Sequence, residues 1–383
     1  MCFVTIANVA WRYSRGASRV TEEQNAVSEP PYCPIPDLHE RPVVCFVNYE
    51  YQRPNFSHRN IPAHLCRHVV LCCLTSTTDQ STDLAVAQGS QLKAALKRTP
   101  LYIGFGGPHV NYTAVNIWFN HSTSVETLLN HIVYLVLRLQ FTGAAVMLTD
   151  WMLLKDRVML VNFTDTLRRR LEEKGDYSIV ILLPPRPIAV YSMYYPSTFM
   201  HGSVIAIALS HVTDVDKPHM GFLSCLTPTQ FAGAMSFGFN VSLESMYEGL
   251  QKQYGLSWKS MSKEMGFSFS LAWTYYSQHD IYNRAPGAKA HYLGLVTYNN
   301  ACTIDLGSHR KTYRDYLTDC QVISDGGFRW FSGLGEESTQ FIRAHRDIRA
   351  IGIFDLEYDD VDGVCRGFKF PQLQALHDVF RQS

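Results

Sequence analysis

The sequence has no excess of either charge: 34 Lys and Arg balance 34 Asp and Glu across 383 residues. A dedicated nucleic-acid binder needs a basic surplus to displace counterions from phosphate, so that partner class is excluded. Charged residues are scarce, at 18%, against the ~25% of an average domain. No apolar run reaches the ~18 residues that would span a bilayer as a helix. No Cys-x-x-Cys pair occurs, which removes the zinc knuckle and the thioredoxin-type redox site. HExxH, GxSxG, GxGxxG and the phosphate-cradling Walker loop are also missing, so no cofactor and no metal site is signalled. What is present in quantity is apolar, at 46%. That much apolar surface must be buried, which excludes a disordered chain.

Cysteine occurs ten times, at positions 2, 33, 45, 66, 72, 73, 225, 302, 320 and 365. Five Asn-x-Ser/Thr sequons, at Asn55, Asn111, Asn120, Asn162 and Asn240, together point to a secreted glycoprotein. Met1–Trp11 is mildly apolar but has neither a basic flank nor a small-residue cleavage site, so no signal peptide is evident. An extracellular protein whose start lies upstream of Met1 is the expectation.

Residues 1–40 are polar and proline-containing and read as a flexible lead; the folded part runs from 41 to 383. From Arg41 onward, β-branched runs alternate with longer amphipathic stretches. The runs are Val43–Asn48, His68–Leu74, Leu101–Phe105, Ala144–Leu148, Tyr177–Leu183, Val204–Leu209, Met265–Leu271 and Ala350–Leu356. Helical spacing marks Ser124–Leu139, Phe163–Lys174, Ser242–Tyr254 and Ser338–His345. Eight such runs with helices between them predict an α/β fold, a (β/α)8 TIM barrel. The interval from about 274 to 340 exceeds an ordinary βα connection and predicts a small inserted α+β subdomain between strands 7 and 8. Arg168–Arg170 reads as a solvated helix face.

The flanks of these runs resemble glycoside hydrolase family 18, the chitinases and chitinase-like proteins. Val43–Tyr49 is similar to that family's first strand and Ile61–His68 to its second. Tyr102-Ile103-Gly104-Phe105-Gly106-Gly107 resembles its third-strand Ser-x-Gly-Gly motif, with Gly104 in place of Ser. Ala350–Cys365, followed by Phe370-Pro371, resembles the eighth strand and its exit, while Ala285-Pro286-Gly287 and Val296–Cys302 resemble the inserted subdomain. The resemblance covers roughly residues 41–380 in order. It implies disulfides Cys45–Cys66 and Cys302–Cys365. Cys33, Cys225 and Cys320 receive no partner from it, and Cys72 and Cys73 are expected to be thiols in the core.

The resemblance also implies a chemistry that this sequence does not equip. Family 18 hydrolysis uses a Glu at the end of strand four to protonate the glycosidic oxygen. An Asp two residues earlier orients the substrate's own acetamide nucleophile, an exception to the usual carboxylate pair. The side chains alternate inward along one strand, which sets the D-G-x-D-x-D-x-E spacing. Aligning Phe141-x-Gly143 with that motif puts Ala145, Met147 and Thr149 at the Asp, Asp and Glu positions. Aligning on Asp150-Trp151 keeps one Asp but puts Met152 at the Glu. Neither register supplies the acid, and a threonine hydroxyl cannot protonate a leaving group near neutral pH.

Other sugar-holding positions differ as well. The sixth-strand Met-x-Tyr-Asp is Ala208-Leu209-Ser210-His211, and the tryptophan of strand eight is Phe354. Tyr49, His211 and Phe354 remain as candidate ligand contacts, although a strand-end histidine such as His211 is also commonly structural. The expectation is therefore a catalytically inactive, secreted, monomeric chitinase-like protein that binds chitin or another amino-sugar oligomer, or a protein partner. The alternative is an active glycosidase with a relocated acid, Asp150 or Glu357. Glu357 lies three residues past Phe354, which on a strand points it to the opposite face.

Overall fold

The structure, a computed structural model, describes residues 41–48, 56–74, 79–107, 122–147, 157–184, 190, 201–211, 224–229, 242–277, 290–306, 309–315, 318–326 and 328–382. The expected lead, residues 1–40, lies outside them.

Eight parallel strands close into a barrel. In chain order they are β1 (Val43–Asn48), β2 (His68–Leu74), β3 (Leu101–Gly106), β4 (Gly143–Met147), β5 (Ser178–Leu183), β6 (Val204–Ala208), β7 (Met265–Ser270) and, after an insertion, β13 (Ala350–Phe354). Each pairs with its sequence neighbour, and β13 closes the ring between β7 and β1. Every strand predicted from the sequence is present within one or two residues. The strands are legible because both of their faces are buried, which produces near-continuous apolar runs. Helices α1 (Asp79–Ala95), α2 (Ser122–Leu139), α3 (Arg157–Glu172) and α4 (Leu243–Tyr254) cover the outside.

Alternation along the strands sorts the side chains into two layers. Val43, Val69, Ile103, Val146, Ile181 and Phe267 face the helices in one large core. Val44, Phe46, Val70, Tyr102, Ala145, Met147, Leu182 and Ile207 fill the barrel in another. The interior is a packed core, as expected of eight-stranded barrels. Gly104 makes room in it, since a Cβ there would sit 3.2 Å from Met147 Sδ and 3.1 Å from Val70 Cγ1.

Between β7 and β13 the chain builds a five-stranded antiparallel sheet from β8 (Trp273–Ser277), β9 (His291–Val296), β10 (Lys311–Arg314), β11 (Gln321–Ser324) and β12 (Arg329–Gly333). Its order is β10-β11-β12-β8-β9, and it carries the short helix α5 (Tyr298–Thr303). Helix α6 (Glu336–Ala344) then returns the chain to the barrel, and α7 (Pro371–Gln382) ends it. Asp359 caps α7 through the backbone N–H groups of Gln372 and Leu373. Arg41 ties the barrel's start to its end: Nη1 donates to Phe380 O and Nη2 to Ile348 O, and the guanidinium lies 4.1 Å over the Phe380 ring.

Cys45 is bonded to Cys66 and Cys302 to Cys365. Two readings of the cysteines need correction. Cys225 and Cys320, left without partners, form a disulfide across 95 residues; residue 225 precedes β7 and residue 320 immediately precedes β11, a proximity that only the folded insertion creates. Cys72 and Cys73, expected as thiols, are joined to each other at the end of β2. Two of the three arginines on α3 are charge-paired, Arg168 on Glu172 and Arg170 clamping both carboxylate oxygens of Glu126, while Arg169 is exposed as a solvated helix face would have it. No described helix is long and apolar enough to cross a membrane.

Candidate functional site

Barrels of this class place their sites where the strands end, because those loops change without disturbing the core. The inward positions along the described strands give that face its chemistry. On β4 they are Ala145 and Met147, both fully buried. Met147 Sδ lies 3.6 Å from Cys72 Sγ and 3.9 Å from Cys73 Sγ, so three sulfurs pack together at the upper rim. Gly107 permits this, since a Cβ there would come within 2.7 Å of Cys73 Sγ, and its φ of +114° is one that glycine tolerates best. Among the described residues, no inward strand position carries a carboxylate.

Across the mouth, Phe354 at the end of β13 stacks on Phe46 of β1, with ring centroids 4.2 Å apart and planes 10° from parallel. His211, just beyond β6, brings its ring to 4.6 Å from the same phenylalanine. The strand order β1-β13-β7-β6 delivers one ring from each side. His211 is 3% exposed, and burial pushes its imidazole down to about 3, so the ring is neutral. Its Nδ1 lies 2.7 Å from Ser268 Oγ, which accepts the Ser210 N–H at 2.8 Å. Ser210 Oγ in turn donates to Ser268 O. This knot of β6 and β7 fixes the imidazole in place.

The other end of the barrel holds a separate polar chain. His68 Nδ1 lies 3.0 Å from Tyr102 Oη, and that hydroxyl lies 2.9 Å from Ser178 Oγ. Burial pushes His68 down to about 4 and Tyr102 up to about 12. These residues open their strands, on the face associated with stability.

The remaining candidates divide by position. Tyr49, Thr149, Asp150 and Met152 lie outside the described residues, as do the sequon residues Asn55, Asn111, Asn120 and Asn240. Asn162 is exposed on α3. Glu357 is buried in a single helical turn after β13. Asp360, beside Asp359, accepts backbone N–H groups of Gly363 and Val364, which makes that acidic pair structural. Ser268 and Phe46 were not singled out from sequence. Phe46 carried a usable signal, its inward register on β1. Among the described residues, no three His, Cys, Asp or Glu side chains gather as a metal site.

A Group IV chitinase of Ostrinia furnacalis matches with a TM-score of 0.71 at 17% identity, over 89% of this chain and 100% of that one. An immunomodulatory active chitinase from Trichuris suis gives 0.71 at 14%, over 89% and 100%. YKL-39, crystallised with the chitooligosaccharide GlcNAc4, gives 0.71 at 15%, over 88% and 99%. The chain has the fold of the family 18 chitinases. No protein-family model matches the sequence, and no curated protein does. At these identities the likeness concerns the chitinase fold, which hosts both hydrolysis and binding, so the activity must be argued from the site.

Proposed function

We propose that this protein is a chitinase-like barrel that has lost hydrolysis and acts by binding. The observation that carries this reading is β4, whose inward side chains Ala145 and Met147 are sealed among apolar and sulfur neighbours. Protonating a glycosidic oxygen requires an acid within hydrogen-bond reach of it, and neither side chain holds a transferable proton. A threonine at position 149 would not supply one either.

The mouth supports binding by other means than the family's sugar platform. A sugar stacks on an aromatic face, and the Phe354 ring is already stacked on Phe46 and has the His211 ring tilted against it. Recognition accordingly rests on surfaces other than the face of Phe354, with the barrel serving as scaffold and its ligand a glycan or a protein. Four disulfides among the described residues favour an oxidising, extracellular location, where the sequons can be glycosylated. The test is turnover of a fluorogenic N-acetylglucosamine oligomer by the purified protein: none is expected.

A further inference from the structure

A concavity lies away from the barrel mouth. It has a volume of about 580 Å³ and is bounded by α6, α7, the loop before α7 and the start of β11. That size falls within the ~300–1,000 Å³ typical of ligand sites. Its floor is fixed: Tyr298 stacks on Trp273, with centroids 5.3 Å apart, and the Trp273 indole N–H donates to Gln372 Oε1 at 2.9 Å.

The loop that forms the rim is fixed too. Asp360 gathers the N–H groups of Gly363, Val364 and Cys365, and Cys365 is disulfide-bonded to Cys302. Held out on this rigid loop are Arg366, whose Nε donates to Tyr298 Oη at 3.4 Å, and Phe368, which is 50% exposed. An apolar ring kept at a cavity's edge by a braced loop is a contact surface rather than a loose tip. From α6 the opposite wall offers Arg343, whose guanidinium makes no ion pair or hydrogen bond among the described residues. Among the described side chains, the acid on the lining is Asp378, which already accepts from Gln374 and His377. Thr339 and Gln340 add neutral hydrogen-bonding groups.

From this lining we propose that the groove between α6 and α7 binds an acidic oligosaccharide. Arg343 and Arg366 take its carboxylates, Phe368 takes the apolar face of a sugar ring, and the amide and hydroxyl side chains take its hydroxyls. The exposed Arg343 and Arg366 side chains on the lining favour negative charge, and the exposed aromatic favours a ring. The site is separate from the barrel mouth and does not depend on whether the mouth hydrolyses.

The test is calorimetric titration of the full chain with a tetramer of hexuronic acid. The neutral N-acetylglucosamine tetramer and an Asp/Glu tetrapeptide are titrated alongside it. The acidic tetrasaccharide is expected to bind, more weakly as salt is raised. Arg343→Gln, Arg366→Gln and Phe368→Ser should each weaken it about tenfold without changing the melting temperature. All three side chains are exposed, so the variants should fold. No binding, or unchanged binding in all three variants, would overturn the assignment. Equal binding of the acidic peptide would reduce the groove to a general cation patch, and tighter binding of the neutral tetramer would remove the role of charge. Hydrolysis of a fluorogenic oligomer, read in the same samples, reports on the mouth and keeps the two results apart.

Discussion

Phe354 and Phe46 lie ring on ring, 4.2 Å between centroids, with His211 closing on Phe354 at 4.6 Å from the next strands of the barrel. Phe354, which stands where the family resemblance places a sugar-stacking aromatic, is here packed against both rings. Removing one of them should free more of its face. His211→Ala is expected to raise affinity for N-acetylglucosamine tetramer over wild type, measured by titration, whereas Phe46→Ala should lower stability by about 3–5 kcal/mol, as large-to-small changes in cores do. Unchanged tetramer affinity in His211→Ala would show that the mouth is closed by something other than these rings.

The β4 position 147 gives a second expectation. Met147→Glu restores a carboxylate in the strand but puts it between Cys72, Cys73 and Val70, in a fully buried site. An unpaired buried charge there should cost about 3 kcal/mol or more, read by urea unfolding, and should restore no hydrolysis. A stable variant would mean that water reaches the site.

Acid should weaken the fold through two histidines. His211 and His68 fall from an ordinary 6.5 to about 3 and about 4 in the folded state, both through burial. Between those values and 6.5 the unfolded chain binds more protons, so their contribution is complete above pH 6.5. It is lost as pH falls, by roughly 1.4 kcal/mol per ring for each pH unit. Asp359 acts in the opposite sense: burial raises it from 3.8 to about 6, so its contribution is present below 3.8 and lost as pH rises toward 6. Two rings outweigh one carboxyl, and the melting temperature should drop from pH 6.5 to pH 4.5. His211→Gln should flatten that dependence; an unchanged slope would contradict a neutral, buried His211.

The Cys225–Cys320 bridge should contribute through the unfolded state. It closes 95 residues, and replacing both cysteines by serine is expected to lower stability by about 2–4 kcal/mol. Equilibrium unfolding of the double variant measures this, with no change indicating that the insertion holds residues 225 and 320 together without the bond.

The barrel was legible in the sequence because a closed parallel sheet buries both faces of each strand, so Val43–Val47 and Ile179–Leu183 are apolar throughout. The inward register of β4 was legible as well, since a period of two places Ala145 and Met147 on one face once Gly143 is aligned. The mouth was not. The Phe46–Phe354–His211 stack joins side chains from three distant segments, and whether rings meet depends on rotamers and strand order that no local pattern encodes. The cysteines divide in the same way: a family resemblance implied Cys45–Cys66 and Cys302–Cys365, while Cys225 and Cys320 meet only after a 95-residue excursion has folded. The groove beside α7 was likewise invisible, because Arg343 and Phe368 sit in separate segments with no shared motif.

One measurement bears most directly on the loss of chemistry: release of fluorophore from an N-acetylglucosamine oligomer by the purified protein, from pH 4.5 to 7.5. Release indistinguishable from the buffer blank at every pH is the predicted result. Steady turnover that disappears in Asp150→Asn or Glu357→Gln would contradict it and establish a relocated acid.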